Sequence, residues 1–219
     1  MIDFYCLSCH KGIRQSGSIR QLFYVDDVLC SSCRSSLFDH KHNFRLDEIM
    51  IEGLYIYSGK IRELLIQYKE YNDEALFPLF LYPQVKYLRN KYQGYSLVLM
   101  CNSRESMLKR GFNHLENMVD ILRMEVIDVL YKSKDISQKH LDFKEREKIG
   151  RYIRLKNKEL LKGKKILLID DVITTGSSIK AAYQLLKPHC LDLKVLCICY
   201  SSSFISNRKL KLIKLLGNR

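Results

Sequence analysis

The segment Lys165-Ile-Leu-Leu-Ile-Asp-Asp-Val-Ile-Thr-Thr-Gly-Ser-Ser178 concentrates chemistry on fourteen consecutive residues. An apolar run of strand length ends in two carboxylates, Asp170 and Asp171, followed by a hydroxyl- and glycine-rich turn and a helix expected to begin near Ser178. A strand, turn and helix in this order aim the backbone N–H groups of the turn and the positive helix end at one point, which suits a phosphate. Thr174, Thr175, Ser177 and Ser178 supply hydroxyl donors, and Gly176 permits close backbone approach. Asp170 and Asp171 repel a phosphate; they suit the hydroxyls of a diol, and through them or with them a Mg2+ ion. A diol and a phosphate together describe a ribose 5-phosphate.

A second constellation lies at the other end of the chain. Cys6-Leu-Ser-Cys9 and Cys30-Ser-Ser-Cys33 are two CxxC knuckles separated by twenty residues, a spacing suited to a structural zinc site. Each knuckle turns two thiolates towards one tetrahedral ion, and four sulfur ligands leave no open position for water. Zn2+ held by Cys6, Cys9, Cys30 and Cys33 is therefore expected to be structural, its binding stabilising a module too small for a core of its own. Cys101, Cys190, Cys197 and Cys199 sit in or near apolar runs and read as small buried hydrophobes.

The elements that must position these residues follow from composition and periodicity. With 219 residues, 47% of them hydrophobic, the chain supports one α/β core and a small appendage, and excludes two full-sized domains. Residues 1–45 read as a four-cysteine zinc-binding ribbon with a short hairpin strand at Gln21 to Val25, and residues 46–219 as the α/β domain. Strands are predicted at Ile51 to Tyr57, Tyr95 to Cys101, Glu125 to Tyr131, Lys165 to Asp170 and Leu193 to Tyr200. Helices are predicted at Ile61 to Tyr68, Glu74 to Tyr92 with a late start or kink from Pro78 and Pro83, Met107 to Arg123, and Ser178 to Lys187. Alternation of this kind predicts a mainly parallel sheet with helices on both faces. Residues from about 132 to 161 are too polar for core, and read either as a lid closing over an anionic ligand or as a solvated loop.

The formal charge of +13 favours a polyanionic partner, nucleic acid first. No run approaches the roughly twenty apolar residues of a membrane span, and the N-terminus lacks a signal-peptide pattern, so a cytoplasmic protein is expected.

The string from Lys165 to Ser178 resembles the PRPP-binding motif of type I phosphoribosyltransferases. That resemblance implies that Asp170 and Asp171 bind the ribose hydroxyls of PRPP, with Mg2+, and that Thr174 through Ser178 cradle its 5-phosphate. The four cysteines, Tyr55 and Tyr57 ahead of Gly59, Ile61-Arg-Glu-Leu-Leu, Lys69, Lys109-Arg-Gly-Phe-Asn113 and Gln138-x-x-Leu141-x4-Arg146 are in turn similar to the ComF family. In that family a Pro-x-Pro and an arginine follow the first core strand; here both prolines are absent and Ser106 stands at the arginine position, with Arg104 nearby. His114 replaces a glutamine and Ile149 an asparagine. Arg104, Arg110 and Arg146 are the candidate pyrophosphate or lid contacts.

The resemblance implies an accessory protein of natural transformation that binds PRPP and single-stranded DNA during uptake. Its implied partner is a helicase-like ATPase of ComFA type, which would recruit it to the inner face of the membrane. The alternative is an active phosphoribosyltransferase on an unidentified acceptor; a transcriptional regulator ranks last, because nothing from Cys6 to Arg34 reads as a helix presented to the major groove. Tyrosines interleaved with basic residues between Tyr82 and Tyr95 read either as base-stacking groups or as ordinary core and surface. The basic stretch Asn207 to Leu216 reads as a short amphipathic helix capping the sheet or docking on a partner.

Overall fold

The most apolar runs of the chain become interior strands of its main sheet. The computed structural model describes residues 5–13, 28–37, 41–102, 107–108, 110–133, 152–202 and 204. In chain order they form α1 (Ser31–Leu37), β1 (His42–Leu46), β2 (Ile49–Ile56), α2 (Gly59–Glu70), α3 (Phe77–Leu81), α4 (Val85–Lys91), β3 (Tyr95–Leu99), α5 (His114–Asp120), β4 (Leu130–Lys132), β5 (Ile153–Leu155), β6 (Lys165–Ile173), α6 (Ser177–Leu186) and β7 (Asp192–Tyr200). The main sheet has the order β1-β2-β7-β6-β3; β1 and β2 are antiparallel and the other neighbours are parallel. Ile166, Leu167, Leu168 and Ile169 are all fully buried. Successive side chains of a strand point to opposite faces, so both faces of the sheet are covered at β6. The mixed, mostly parallel α/β architecture expected from the alternation is the one observed.

Local chemistry explains where the elements depart from the expectations. β1 pairs with β2 across the two-residue turn Asp47-Glu48, with Leu46 opposite Ile49 and Asp47 at a left-handed φ of 54° that aspartate tolerates. The predicted helix from Glu74 to Tyr92 is broken into α3 and α4 by 3-10 turns at Glu74–Leu76 and Tyr82–Gln84. Pro78 and Pro83 each stand in a first turn, where the missing N–H costs no helical hydrogen bond. The helix expected from Met107 to Arg123 is interrupted at Gly111, whose φ of 81° is left-handed, and restarts at α5 behind Asn113, whose side chain accepts from Leu115 N at 3.3 Å. The strand expected at Glu125 to Tyr131 is divided. Val126 bridges Leu97 on the sheet edge, after which Val129 accepts from Lys156 N and β4 pairs with β5 in a separate two-stranded ribbon. Residues 134–151, most of the polar stretch noted above, lie outside the described residues, as do Gln21 to Val25 and Asn207 to Leu216. Cys197 and Cys199 are buried as expected, whereas Cys101 and Cys190 are half-buried.

Candidate functional site

β6 carries Asp170 and Asp171 to its C-terminal end, where the chain turns through Thr174 to Gly176 into α6. Gly176 caps α6 with a left-handed φ of 81°, and a Cβ there would stand 2.6 Å from Leu46 Cδ2 and 3.2 Å from Phe204 Cε2. Glycine is thus required twice at one position, for conformation and for space. Thr175 Oγ1 lies 3.0 Å from Ser177 Oγ. Asp170, Asp171, Thr174, Thr175, Ser177 and Ser178 line one cleft, so the acids and hydroxyls expected to act together do converge. Lys69, Asn102 and Lys132 complete its walls.

The two aspartates occupy different electrostatic environments. Asp171 Oδ2 accepts from Lys69 Nζ and from His114 Nε2, the latter at 2.5 Å, while Asp171 Oδ1 accepts from Val172 N at 2.6 Å. Burial works against ionisation of Asp171, but Lys69 and His114 hold its carboxyl well below the usual carboxylate range. Asp170 is pushed up to about 7 by burial and by the charge of Asp171 beside it. A guanidinium only donates, so the 2.8 Å contact between Arg110 Nη1 and His114 Nδ1 makes Nδ1 the acceptor and places the ring proton on Nε2. Burial lowers the pKa of His114, which is 1% exposed, against the pull of Asp171, and the ring is neutral.

Three distant stretches build this cluster. Tyr68, in the last turn of α2, donates to His114 O at 2.9 Å, and its neighbour Lys69 reaches Asp171. Arg110 Nε donates to Lys69 O at 2.9 Å, so its guanidinium ties α2 to the start of α5. Arg104 and Arg146 lie outside the described residues. Lys69 was visible only as a family-like position and His114 only as a departure from the family, neither with a role, and Asn102 and Lys132 carried no sequence signal at all. A second cavity of about 540 Å³ adjoins the cleft and shares Met100, Cys101, Asn102 and Lys132 with it.

The four sulfurs of Cys6, Cys9, Cys30 and Cys33 all lie within 4.8 Å of one another, with Cys9 and Cys30 at 3.8 Å. A tetrahedral ion with Zn–S bonds of about 2.3 Å sets sulfur atoms about 3.8 Å apart. His10 N donates to Cys6 O and Arg34 N to Cys30 O, closing the two knuckles, the second within the first turn of α1. Burial opposes ionisation of Cys6, but the backbone N–H groups of Cys30, Ser8 and Cys9 bring its thiol down to about 7. Burial and the surrounding sulfurs push Cys33 up to about 12, the frustration that a cation among the four would relieve. The donor set fits Zn2+, with no open position for catalysis.

Three tyrosines of the run between Tyr82 and Tyr95 have structural partners. Tyr92 is buried and donates to Glu52, which also accepts from Tyr87 at 2.5 Å and Lys91 at 2.8 Å, and Tyr95 donates to Asp192. Their hydroxyls are spent on fastening α4 and β3 to the sheet.

Residues 105–204 match the phosphoribosyl transferase domain family. The matched segment, less than half of the chain, resembles the phosphoribosyltransferase class and carries the acid pair at the end of β6; the four-cysteine cluster precedes it in the sequence. Within that class the chain resembles the ComF family: over 138 residues it is 30% identical to "Competence protein ComFC" of Streptococcus pneumoniae (strain ATCC BAA-255 / R6), covering 62% of this chain and 60% of that protein. It is also similar to a hypoxanthine phosphoribosyltransferase from Staphylococcus aureus, at 14% identity and a TM-score of 0.39 over 59% of this chain and 66% of that one. An adenine phosphoribosyltransferase matches at 13% identity and a TM-score of 0.42, over 80% and 93% of the two chains. The chain thus spans less than two thirds of the length of the competence protein and of the hypoxanthine enzyme. No helix among the described residues is long and apolar enough to cross a membrane.

Proposed function

We propose that this protein is a competence accessory factor that binds PRPP with Mg2+ in the cleft at the end of β6, while its basic surface holds single-stranded DNA during uptake. The observation that carries the ribose-phosphate reading is the convergence of the Asp170–Asp171 carboxylates and the Thr174 to Ser178 hydroxyls on one cleft at the mouth of α6. In this reading the acid pair makes the sugar end of the cleft and the turn takes the 5-phosphate. Arg104 and Arg146 are proposed to meet the pyrophosphate; Arg110 supports the site from behind through Lys69 and His114. Zn2+ on the four cysteines is structural. The DNA reading rests on the charge of +13 and on the likeness to the competence protein; a helicase-like ATPase partner, and recruitment by it to the inner face of the membrane, are part of the same proposal.

Calorimetric titration of PRPP and Mg2+ into the zinc-loaded protein tests the site. Binding by wild type that vanishes in Asp170→Ala/Asp171→Ala, with the variant still folded by circular dichroism, supports the reading; no binding by wild type sinks it. For DNA, a fluorescent single strand is expected to bind with an affinity that falls steeply with salt, and no binding at low ionic strength refutes that part. The cavity of about 540 Å³ beside the cleft favours a second reading, transfer of the phosphoribosyl group to an acceptor seated there. Pyrophosphate release from PRPP on addition of an acceptor would separate turnover from simple binding.

A further inference from the structure

Both aspartates line the cleft, yet they differ in what their oxygens are free to do. Asp171 has both oxygens engaged: Oδ1 by Val172 N, and Oδ2 by the ammonium of Lys69 and the imidazole of His114. Asp170 accepts from Asp171 N on Oδ1 at 2.9 Å, and among the described residues no hydrogen bond or ion pair engages its Oδ2. The clamp on Asp171 is itself fixed from outside. Arg110 saturates the far nitrogen of His114 and the carbonyl of Lys69, and Tyr68 holds the carbonyl of His114. Withdrawing Asp171 to meet a sugar hydroxyl would leave a buried imidazole N–H and a half-buried ammonium without an acceptor, which is unfavourable in so dry a place.

On the reading that the cleft takes a phosphorylated ribose, we propose that the two aspartates have separate duties. Asp170 alone contacts the sugar hydroxyls. Asp171 is a positioning residue, locked by Lys69 and His114, that holds the end of β6 against α2 and the start of α5. The histidine at position 114 does this by offering an acceptor on one side of a flat side chain and a donor on the other. Glutamine offers the same pair through its amide oxygen and nitrogen, so His114→Gln is expected to preserve the clamp, and His114→Ala to break it.

The test compares ribose 5-phosphate with 2,3-dideoxyribose 5-phosphate, which keeps the phosphate and lacks both ring hydroxyls. Affinities are measured by calorimetry for wild type, Asp170→Asn, Asp171→Asn, His114→Gln and His114→Ala, each with its melting temperature. A hydrogen bond to a charged acceptor is worth roughly tenfold or more, so at pH 8, where Asp170 carries its charge, wild type is expected to prefer the hydroxylated sugar by at least about that factor. Asp170→Asn should reduce the preference to about twofold or less. Asp171→Asn and His114→Ala should weaken both ligands equally and keep the preference, and His114→Gln should restore wild-type values. If Asp171→Asn erases the preference as Asp170→Asn does, the division of duties is wrong while sugar-phosphate binding stands. If wild type binds neither ligand, the ribose-phosphate reading fails and this inference fails with it. Independently of any ligand, 15N spectra of the free protein should show His114 protonated at Nε2 and bare at Nδ1; the opposite tautomer overturns the clamp.

Discussion

Replacing Gly176 with alanine separates two reasons for a glycine at the phosphate turn. Its φ of 81° imposes a left-handed strain on any other residue, and the new Cβ would stand 2.6 Å from Leu46 Cδ2 and 3.2 to 3.3 Å from the ring of Phe204. Strain costs about 1–2 kcal/mol, partly offset by about 0.4–1 kcal/mol from the smaller entropy of the unfolded chain. Forcing a methyl into a packed site adds about 1–3 kcal/mol, because Leu46 and Phe204 are themselves buried and have little room to retreat. Gly163 supplies the control, since its φ of 76° is similar but nothing lies within 4 Å of its missing Cβ. Gly163→Ala therefore carries the strain without the collision. The difference between the variants, about 2 kcal/mol, corresponds to roughly 4–8 °C in melting temperature for a chain of this size. Calorimetric melting of both variants measures it. Equal shifts would show that Leu46 and Phe204 yield freely and that the packing argument is wrong.

Three further outcomes are expected. Cys9→Ser should abolish binding of about one zinc per chain by mass spectrometry of metals and lower the melting temperature, while Cys101→Ser, outside the cluster, should leave the metal content unchanged. Because the folded pKa of Asp170 is raised from 3.8 to about 7, the folded state holds a proton that the unfolded chain releases, and stability falls as pH rises through that window. Asp170→Asn should accordingly melt above wild type at pH 8 and coincide with it near pH 4; a difference of the opposite sign would refute the assignment. Glu52→Ala removes the buried acceptor of Tyr87, Lys91 and Tyr92, and should cost about 3 kcal/mol in urea unfolding, with Glu52→Gln recovering part of it.

What the sequence made legible was whatever chemistry is local. The acids, hydroxyls and glycine from Asp170 to Ser178 lie on one strand, one turn and one helix, so spacing alone brings them together. The two CxxC knuckles are legible for the same reason. The clamp was not, because Lys69 and Asp171 are 102 residues apart and His114 and Asp171 are 57 apart, and no periodicity links such positions. β5 escaped notice, and β4 was merged into a longer expected strand from Glu125 to Tyr131, because three-residue strands carry too few residues to show alternation. The tyrosines from Tyr82 to Tyr95 left two readings open, since a tyrosine that stacks and one that fastens a helix look alike until the acceptor, Glu52 or Asp192, is located.

The strand order bears on how little of this chain can be cut away. The segment that matches the phosphoribosyl transferase family, residues 105–204, contains β6 and β7, but the strands flanking them, β3 and β2, lie outside it. Excised at those limits, the fragment would expose two open edges of consecutive apolar strands, a template for aggregation. It would also lose Lys69, leaving the charge of Asp171 without its cation. The matched segment is thus not expected to fold by itself. The ligand site should form only once the chain on both sides of Tyr95 has closed around it, and a ligand that binds it should stabilise the whole domain at once.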